Sequence, residues 1–456
     1  MKCRPVGKCS EFKRRSGGEF VSRAFRVVFG EISPRKNRYE RIGATVASTK
    51  KDILFLCQFF YPEYNSSATL PFDTAKHLAS HGFTVDGLVG YPKEYSVDKH
   101  LPLEETVEGV NIKRIKYMQL GRVGMVSRLI NYFSFTFHAW LKTSYLKNYK
   151  TVIVYSNPPV LPIVPILAKK KYGTKFVFVA YDVYPEVAYA SQSLTPDSMI
   201  SKVMNWINKK LYSAVDCVVA LTDEMKEFLL EHRPELTPDR VVTIANWAHE
   251  KESKPDHEAY ERFGYKDGQF VVSYFGNMGT CQDVETMMEA AELLKDDDRV
   301  RFLIVGHGNK KDAVEARIKE KELHNVQLLN FLTGKDFQQA VAVSSCCIVS
   351  LEKGLKGTCA PSKFYSYLQG GQPVLAVVEK DSYLAAEVED EKIGHAVTIG
   401  DGKGLRNAIV TMVENPDECK AMGVRAKALY KSQYAYEVAM EKYKSVFTDK
   451  CGIAKG

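Results

Sequence analysis

Short apolar runs and helical periods alternate from Asp52 almost to the end of the chain. The run ILFLC at 53–57 has no polar interruption, which predicts a strand buried on both faces. Turn-formers and small polar residues at 58–71 predict a loop. Phe72, Ala75, Leu78 and Ala79 then share one helical face over 72–81, with Gly82 as its stop, and 84–89 is the next strand. The same alternation gives strands at 152–155, 175–180, 217–221 and 241–244, with helices through 166–171 and 225–232, the latter with Thr222 as its N-cap.

A charged stretch poor in strand signal, 250–268, reads as a linker. Beyond it the pattern restarts, with strands at 270–274, 301–305, 326–329, 346–350, 374–378 and 395–399, helices at 284–294, up to 321 and from 335, and loops at 275–283 and 306–308. The prediction is an α/β chain of two doubly wound, Rossmann-like domains facing a central cleft lined by strand-end loops. The first domain spans 51–250 and the second 269–431. At 456 residues the chain suits two cores better than one.

The net charge of +8 belongs to the first fifty residues, which balance at +9, whereas 51–456 balance at −1. A neutral body gives no support to nucleic-acid binding by a broad basic face. The segment 1–50 reads as a basic, weakly structured extension, either resting on an anionic leaflet or without a role of its own. It has no apolar stretch suited to a signal peptide. No run reaches the ~18 apolar residues of a spanning helix. The nearest, 129–141, has two level readings, an interfacial helix or a buried helix of the first domain. The ten cysteines show no C-x-x-C pair and argue for a reducing compartment.

The stretch GTCAPSKFYSYLQGGQPV at 357–374 carries the sharpest local signal. Pro361 suits a first helical position, Phe364, Tyr367 and Leu368 recur at helical spacing, and Gly370 and Gly371 supply the stop. Ser362 and Lys363 in the first turn would complement an anion at the helix N-terminus. The competing reading is an ordinary solvated lysine at a loop-to-helix junction. Gly276, Asn277 and Gly279 follow a strand, as do Gly306 and Gly308, so both loops let backbone N–H groups approach a diphosphate. Neither fits G-x-G-x-x-G or G-x-x-x-x-G-K-[ST], against dinucleotide redox and against an ATPase. Glu63, Asp182 and Glu186 are the acid/base candidates on the first-domain loops. Asp182 follows a buried strand at the sheet edge, where capping is the rival role. No G-x-S-x-G occurs, and His81, His138 and His249 show no partner at ligand spacing.

In order, the segments QFFYPE, KHLASHGFTV, GYPKEY, SNPPVLP, YDVYPE, DCVVALTDEMKEFL, IANWAH, YFGNMGTCQD, FLIVGHGN, NFLTGKDF, PSKFYSYLQGGQPVLA, IGHAV and ENPDECKAMGVRAK resemble the retaining glycosyltransferases of the GT-B fold, family 4, in the bacterial branch that builds exopolysaccharide, capsule and O-antigen. The resemblance runs from about 52 to 447. It implies a nucleotide-sugar donor, a UDP-sugar by preference, on the second domain and a glycan or polyprenyl-linked acceptor on the first, with the helix at 432–448 crossing back to the first domain. It implies no cofactor and no metal, and a cytoplasmic enzyme with a peripheral contact to an anionic membrane left open. Carried over by residue, Gly276, Asn277, Gly279 and Gly306 approach the diphosphate, Ser362 and Lys363 bind it, and Phe331 and Leu332 lie near the base. Asp182 and Lys363 are the catalytic candidates, and Glu63, Asn65, Ser66 and Glu186 those for the acceptor. The chain departs from the family at Thr358 and Ser366, where glutamates are common, and at Asn277 and Gln282, where Arg and Lys are common. A sugar-nucleotide epimerase and a non-catalytic partner subunit are the rival expectations.

Overall fold

The structure is a computed structural model and describes residues 50–92, 101–121, 125–248, 255–256, 258–266, 268–332 and 334–454. The basic extension, most of the predicted linker, His249 and part of GYPKEY lie outside these residues.

Among the described residues, fourteen strands form two sheets. The first contains β1 (Lys51–Cys57), β2 (Val85–Gly90), β3 (Glu104–Val107), β4 (Val110–Ile115), β5 (Tyr149–Tyr155), β6 (Lys175–Ala180), β7 (Cys217–Ala220) and β8 (Val241–Thr243) in the order β3-β4-β2-β1-β5-β6-β7-β8. All neighbours pair in parallel except β3 and β4. The second contains β9 (Phe270–Asn277), β10 (Val300–His307), β11 (Val326–Leu329), β12 (Cys346–Ser350), β13 (Val374–Val378) and β14 (Gly394–Thr398) in the order β11-β10-β9-β12-β13-β14, all parallel. Apolar runs such as ILFLC and VLAVV are buried along their whole length because helices cover both faces. Each sheet therefore separates two apolar layers.

The strand order reverses direction between β1 and β5 in one sheet and between β9 and β12 in the other. At such switch points neighbouring loops leave in opposite directions and open a crevice at the carboxyl ends of the strands. The two crevices border the same interdomain contact. Val183 N–H donates to Thr358 O at 2.7 Å, and Asp182 forms an isolated bridge with Cys359. The Glu224 carboxylate of the first domain accepts from Gly357 N–H at 3.0 Å and Tyr383 N–H at 2.8 Å in the second. Gly357 has φ +68°, and a Cβ there would sit 2.8 Å from Phe228 Cβ, so this close approach requires glycine. The helix Tyr436–Ser445 crosses back, and Ala439, Met440, Tyr443, Val446 and Phe447 are buried in the core of the first sheet.

Several elements differ from the pattern reading. The helix predicted at 72–81 runs Ser66–Ser80 with Pro71 inside it, so the stretch 66–71 of the expected loop is helix. Ser66, Ser67 and Thr69 gave its first turn a polar composition that hid the period, and Pro71 had read as a breaker. The hairpin of β3 and β4 was not anticipated. Strand β9 continues through Asn277, so Phe275 to Asn277 pair with β10 instead of forming a loop. Within the predicted linker, Ala259, Phe263 and Tyr265 are buried in the second core, which places 259–265 with the second domain. For residues 129–141 the structure shows a helix partly buried in the first domain. They belong to the helix Met125–Leu141, with Phe135 and Ala139 buried while Phe133, Phe137 and Leu141 form an exposed stripe at i, i+4 and i+8.

Candidate active site

The helix of the 357–374 stretch spans Lys363–Gly370, two residues later than Pro361 suggests, with Ser362 at its N-cap and Gly371 left-handed at its C-cap. Starting at Lys363 brings the lysine to the helix mouth beside the end of β9. Its Nζ donates to Tyr274 Oη at 2.7 Å, lies 3.4 Å from Asn277 O and sits 4.2 Å from the centre of the Tyr274 ring. Tyr274 Oη in turn donates to Asn277 O at 2.6 Å. No carboxylate pairs with this ammonium among the described residues. Burial without a counter-charge pulls its pKa down to about 7. A cation held by a hydroxyl, a carbonyl and a ring face still lacks an anion.

The glycines around Lys363 are there because side chains would not fit. Gly276 has φ +114°, and a Cβ would lie 2.6 Å from Lys363 Cε. Gly306 pairs with Gly276 across β9 and β10, where a Cβ would meet Gly276 O at 1.8 Å. The Gly279 N–H, expected to face a diphosphate, donates instead to Gln282 Oε1 at 3.1 Å. Gln282 therefore occupies an N–H in the loop where basic residues are common, and Asn277 is exposed beside it. Ser362 is exposed at the helix mouth, and its side chain caps nothing. Phe331 stands 60% exposed after β11, edge-on to the His307 ring at 5.5 Å, while Leu332 packs against the second core. Thr358 donates its hydroxyl to Leu355 O, so no carboxylate or free hydroxyl replaces a glutamate there.

Asp182 lies across the cleft, where its bridge to Cys359 joins the two domains. Its N–H donates to Ser156 Oγ at 3.1 Å, whereas its carboxylate has no hydrogen bond or ion pair among the described residues. The capping role is thus not the one its side chain plays. Desolvation raises the carboxyl to about 6. Burial raises the nearby thiols of Cys281 and Cys359, and the Asp182 charge adds to the effect on both.

The acceptor-side candidates separate. Asn65 is the N-cap of Ser66–Ser80 and Ser66 is exposed in its first turn. Both amide atoms of Asn65 are buried with no hydrogen-bond partner among the described residues. Such a group, at the end of a helix pointing into the β1/β5 crevice, is suited to a polar ligand. Glu63 is buried, close enough to Cys57 to help raise its thiol after burial itself. Glu186 pairs with Arg233 at 2.6 Å inside the first domain, which ties it to structure and away from an acceptor.

The sequence reading missed Tyr274 and Glu224, it named Gln282 without its bond to Gly279, and it missed a cavity of about 270 Å³ beside the site. This cavity is lined by Glu224, Cys359, Pro361, Tyr383, Glu387 and Tyr434 among others. Lys363 and Gly276 do not line it, so this cavity adjoins the charged groups without containing them. Burial raises Glu387 to about 7, against the opposing hydrogen bonds from Tyr434 and Tyr383. No signal in the sequence marks these groups, because Glu224 meets Gly357 and Tyr383 across the domain contact and Glu387 meets Tyr434 only in the folded second domain.

Comparison with known proteins places this geometry. Residues 72–247 match the family described as glycosyl transferase 4-like domain, and 269–415 match glycosyl transferases group 1. The chain is 25% identical over 304 residues to a probable glycosyltransferase, WbjE, of Pseudomonas aeruginosa, covering 66% of this chain and 75% of that protein. Its fold is similar to sucrose-phosphate synthase from Thermosynechococcus elongatus, with a TM-score of 0.70 at 15% identity over 89% of this chain and 100% of the other. It is also similar to Anabaena HepE solved with UDP-glucose, with a TM-score of 0.63 at 15% identity over 87% of this chain and 99% of the other. Two facing doubly wound domains, each matched by its own transferase family over most of its length, make this chain a member of the GT-B glycosyltransferases.

Proposed function

We propose that the chain transfers a hexose, or an N-acetylated or deoxy-hexose, from a UDP-sugar to a lipid-linked or growing glycan of a bacterial cell-surface polysaccharide. The observation that carries this reading is Lys363, a half-buried, desolvated ammonium with no carboxylate beside it among the described residues, at a helix mouth beside two glycines. A diphosphate supplies the missing anion. In this reading Gly276 and Gly306 leave room for the phosphates and Phe331 offers its ring to the base. Charge on the leaving diphosphate is met by Lys363 and the helix N-terminus, with no metal required of the mechanism.

The reaction proceeds with retention at the anomeric carbon. The acceptor hydroxyl approaches C1 on the face from which the diphosphate leaves. The C1–O bond to the acceptor forms as the C1–O bond to phosphate breaks, and the hydroxyl proton passes to the departing phosphate oxygen. Lys363 stabilises the charge that grows on that oxygen. Asp182, ionised above about pH 6, faces the sugar and offsets positive charge developing at C1. Asn65 and Ser66 present the acceptor side. The match to WbjE supports a transferase of bacterial glycans over an epimerase or an inactive partner. A thermal-shift screen of nucleoside diphosphates and UDP-sugars, followed by release of UDP in the presence of glycan acceptors, tests it. We expect stabilisation by UDP and release that depends on acceptor. Conversion of the donor with no acceptor present would instead identify an epimerase.

No helix among the described residues is long and apolar enough to cross a membrane. The exposed stripe Phe133, Phe137 and Leu141, followed by Lys142 and Lys147, fits a peripheral contact with an anionic leaflet, which would bring a lipid-linked acceptor to the cleft. Flotation with phosphatidylglycerol vesicles should carry the protein upward, and phosphatidylcholine vesicles should not. Equal flotation of wild type and Phe137→Ser would contradict this contact.

A further inference from the structure

The end of Ser66–Ser80 remote from the cleft holds a cluster that the transfer reaction does not use. His77 lies in the last turn of this helix and His81 caps it, their rings stacked at 4.1 Å. Glu441 reaches them from the crossover helix Tyr436–Ser445. One ligand atom from each of the three falls within 4.8 Å of the others. The sequence reading took His81 as unpartnered and passed over His77 one turn earlier, and nothing local indicated Glu441, 360 positions along the chain.

Two features suit a metal better than simple packing. His77 Nε2 is buried and has no hydrogen-bond partner among the described residues. His81 Nδ1 lies 2.8 Å from His77 O, so the backbone carbonyl accepts its proton and leaves Nε2 with a lone pair. Tyr436 packs edge-on against His77 at 5.7 Å and closes the inner side. The facing charges are Glu437, Glu441 and Lys444, and Lys444 lies 3.3 Å from Glu441 as the competitor a cation would displace.

We propose that His77, His81 and Glu441 form a structural zinc site that ties the crossover helix to the first domain. Two imidazoles and a carboxylate are a zinc donor set, with water as the fourth ligand. Tetrahedral zinc holds its ligand atoms about 3.3 Å apart, so the three side chains close by modest rotations. The helix between this cluster and the cleft is about 22 Å long at 1.5 Å per residue, which makes the role structural and separate from transfer. Because the crossover helix links the two domains, zinc would restrict how they move relative to one another.

The test uses the full chain with Co2+ and Zn2+. Co2+ should produce visible d–d bands without the strong near-ultraviolet thiolate band that cysteine ligation gives, and Zn2+ should raise Tm by several degrees. His81→Ala should abolish both signals, and Glu441→Gln should weaken Zn2+ binding at least tenfold. Both positions are exposed, so both variants should fold. An unchanged Tm with Zn2+, or equal binding in wild type and both variants, would overturn the site and assign any binding to the thiols.

Discussion

Lys363→Ala is expected to lower kcat/KM by ~30–1000-fold, the ~2–4 kcal/mol lost when one preorganised charge is removed from a developing anion. The fold should survive. Among the described residues the half-buried Lys363 ammonium is held by Tyr274 and Asn277 with no carboxylate, so replacing it removes a desolvated, unpaired charge. Tm of the variant without ligand should equal or exceed that of the wild type, which separates loss of activity from loss of structure. A pH dependence follows from the same environment. With a pKa of about 7 in the free protein, Lys363 is already charged below pH 7 and must take up a proton to meet a diphosphate above it. Binding raises its pKa, so UDP affinity should be flat below pH 7 and fall by up to tenfold per pH unit above it. This alkaline loss should be absent in Lys363→Ala. Unchanged kcat/KM in the variant would remove this lysine from the mechanism.

Asp182→Asn is the second large effect, a fall in kcat of about 10²-fold, the lower end of what a positioned carboxylate contributes. The substitution is nearly isosteric, and the structural contacts of this residue are made by its backbone, through Ser156 and Cys359. A structural role would therefore leave the rate near the wild-type value. In the wild type, activity should decline as pH falls through about 6, where the carboxylate takes up a proton. In Asp182→Asn that acid limb should disappear. Wild-type kcat with the acid limb intact would return Asp182 to a purely architectural place at the domain contact.

The parallel strands were legible because runs buried on both faces leave an apolar signature that needs no partner to interpret. ILFLC, KFVFVA and VLAVV each became a central strand. Caps written in a few adjacent residues were legible too, as at Thr222, whose side chain accepts from Met225 N–H at 3.1 Å, and at Gly371. The start of Ser66–Ser80 was hidden because Ser66, Ser67 and Thr69 dominate its first turn and Pro71 follows, although Ala68 and Leu70 are buried there. Lys363 could be picked out as an anion ligand by type and position. Its distinguishing property, a desolvated ammonium held by a hydroxyl instead of a carboxylate, arises from Tyr274, 89 residues away. Gln282 shows the same limit, since only the folded loop shows it occupying the Gly279 N–H. Glu224 acquires its role when the domains meet, Glu387 and Tyr434 when the second domain folds, and the His77, His81 and Glu441 cluster forms only when the last helix crosses back.

The central claim is that the donor diphosphate rests on Lys363 at the mouth of its helix. Calorimetric titration of UDP into the wild type and Lys363→Ala at pH 6.5 tests it most directly. Binding in the wild type that weakens at least tenfold in the variant, with both proteins folded, is the predicted result. Equal UDP affinity in the two proteins would contradict it.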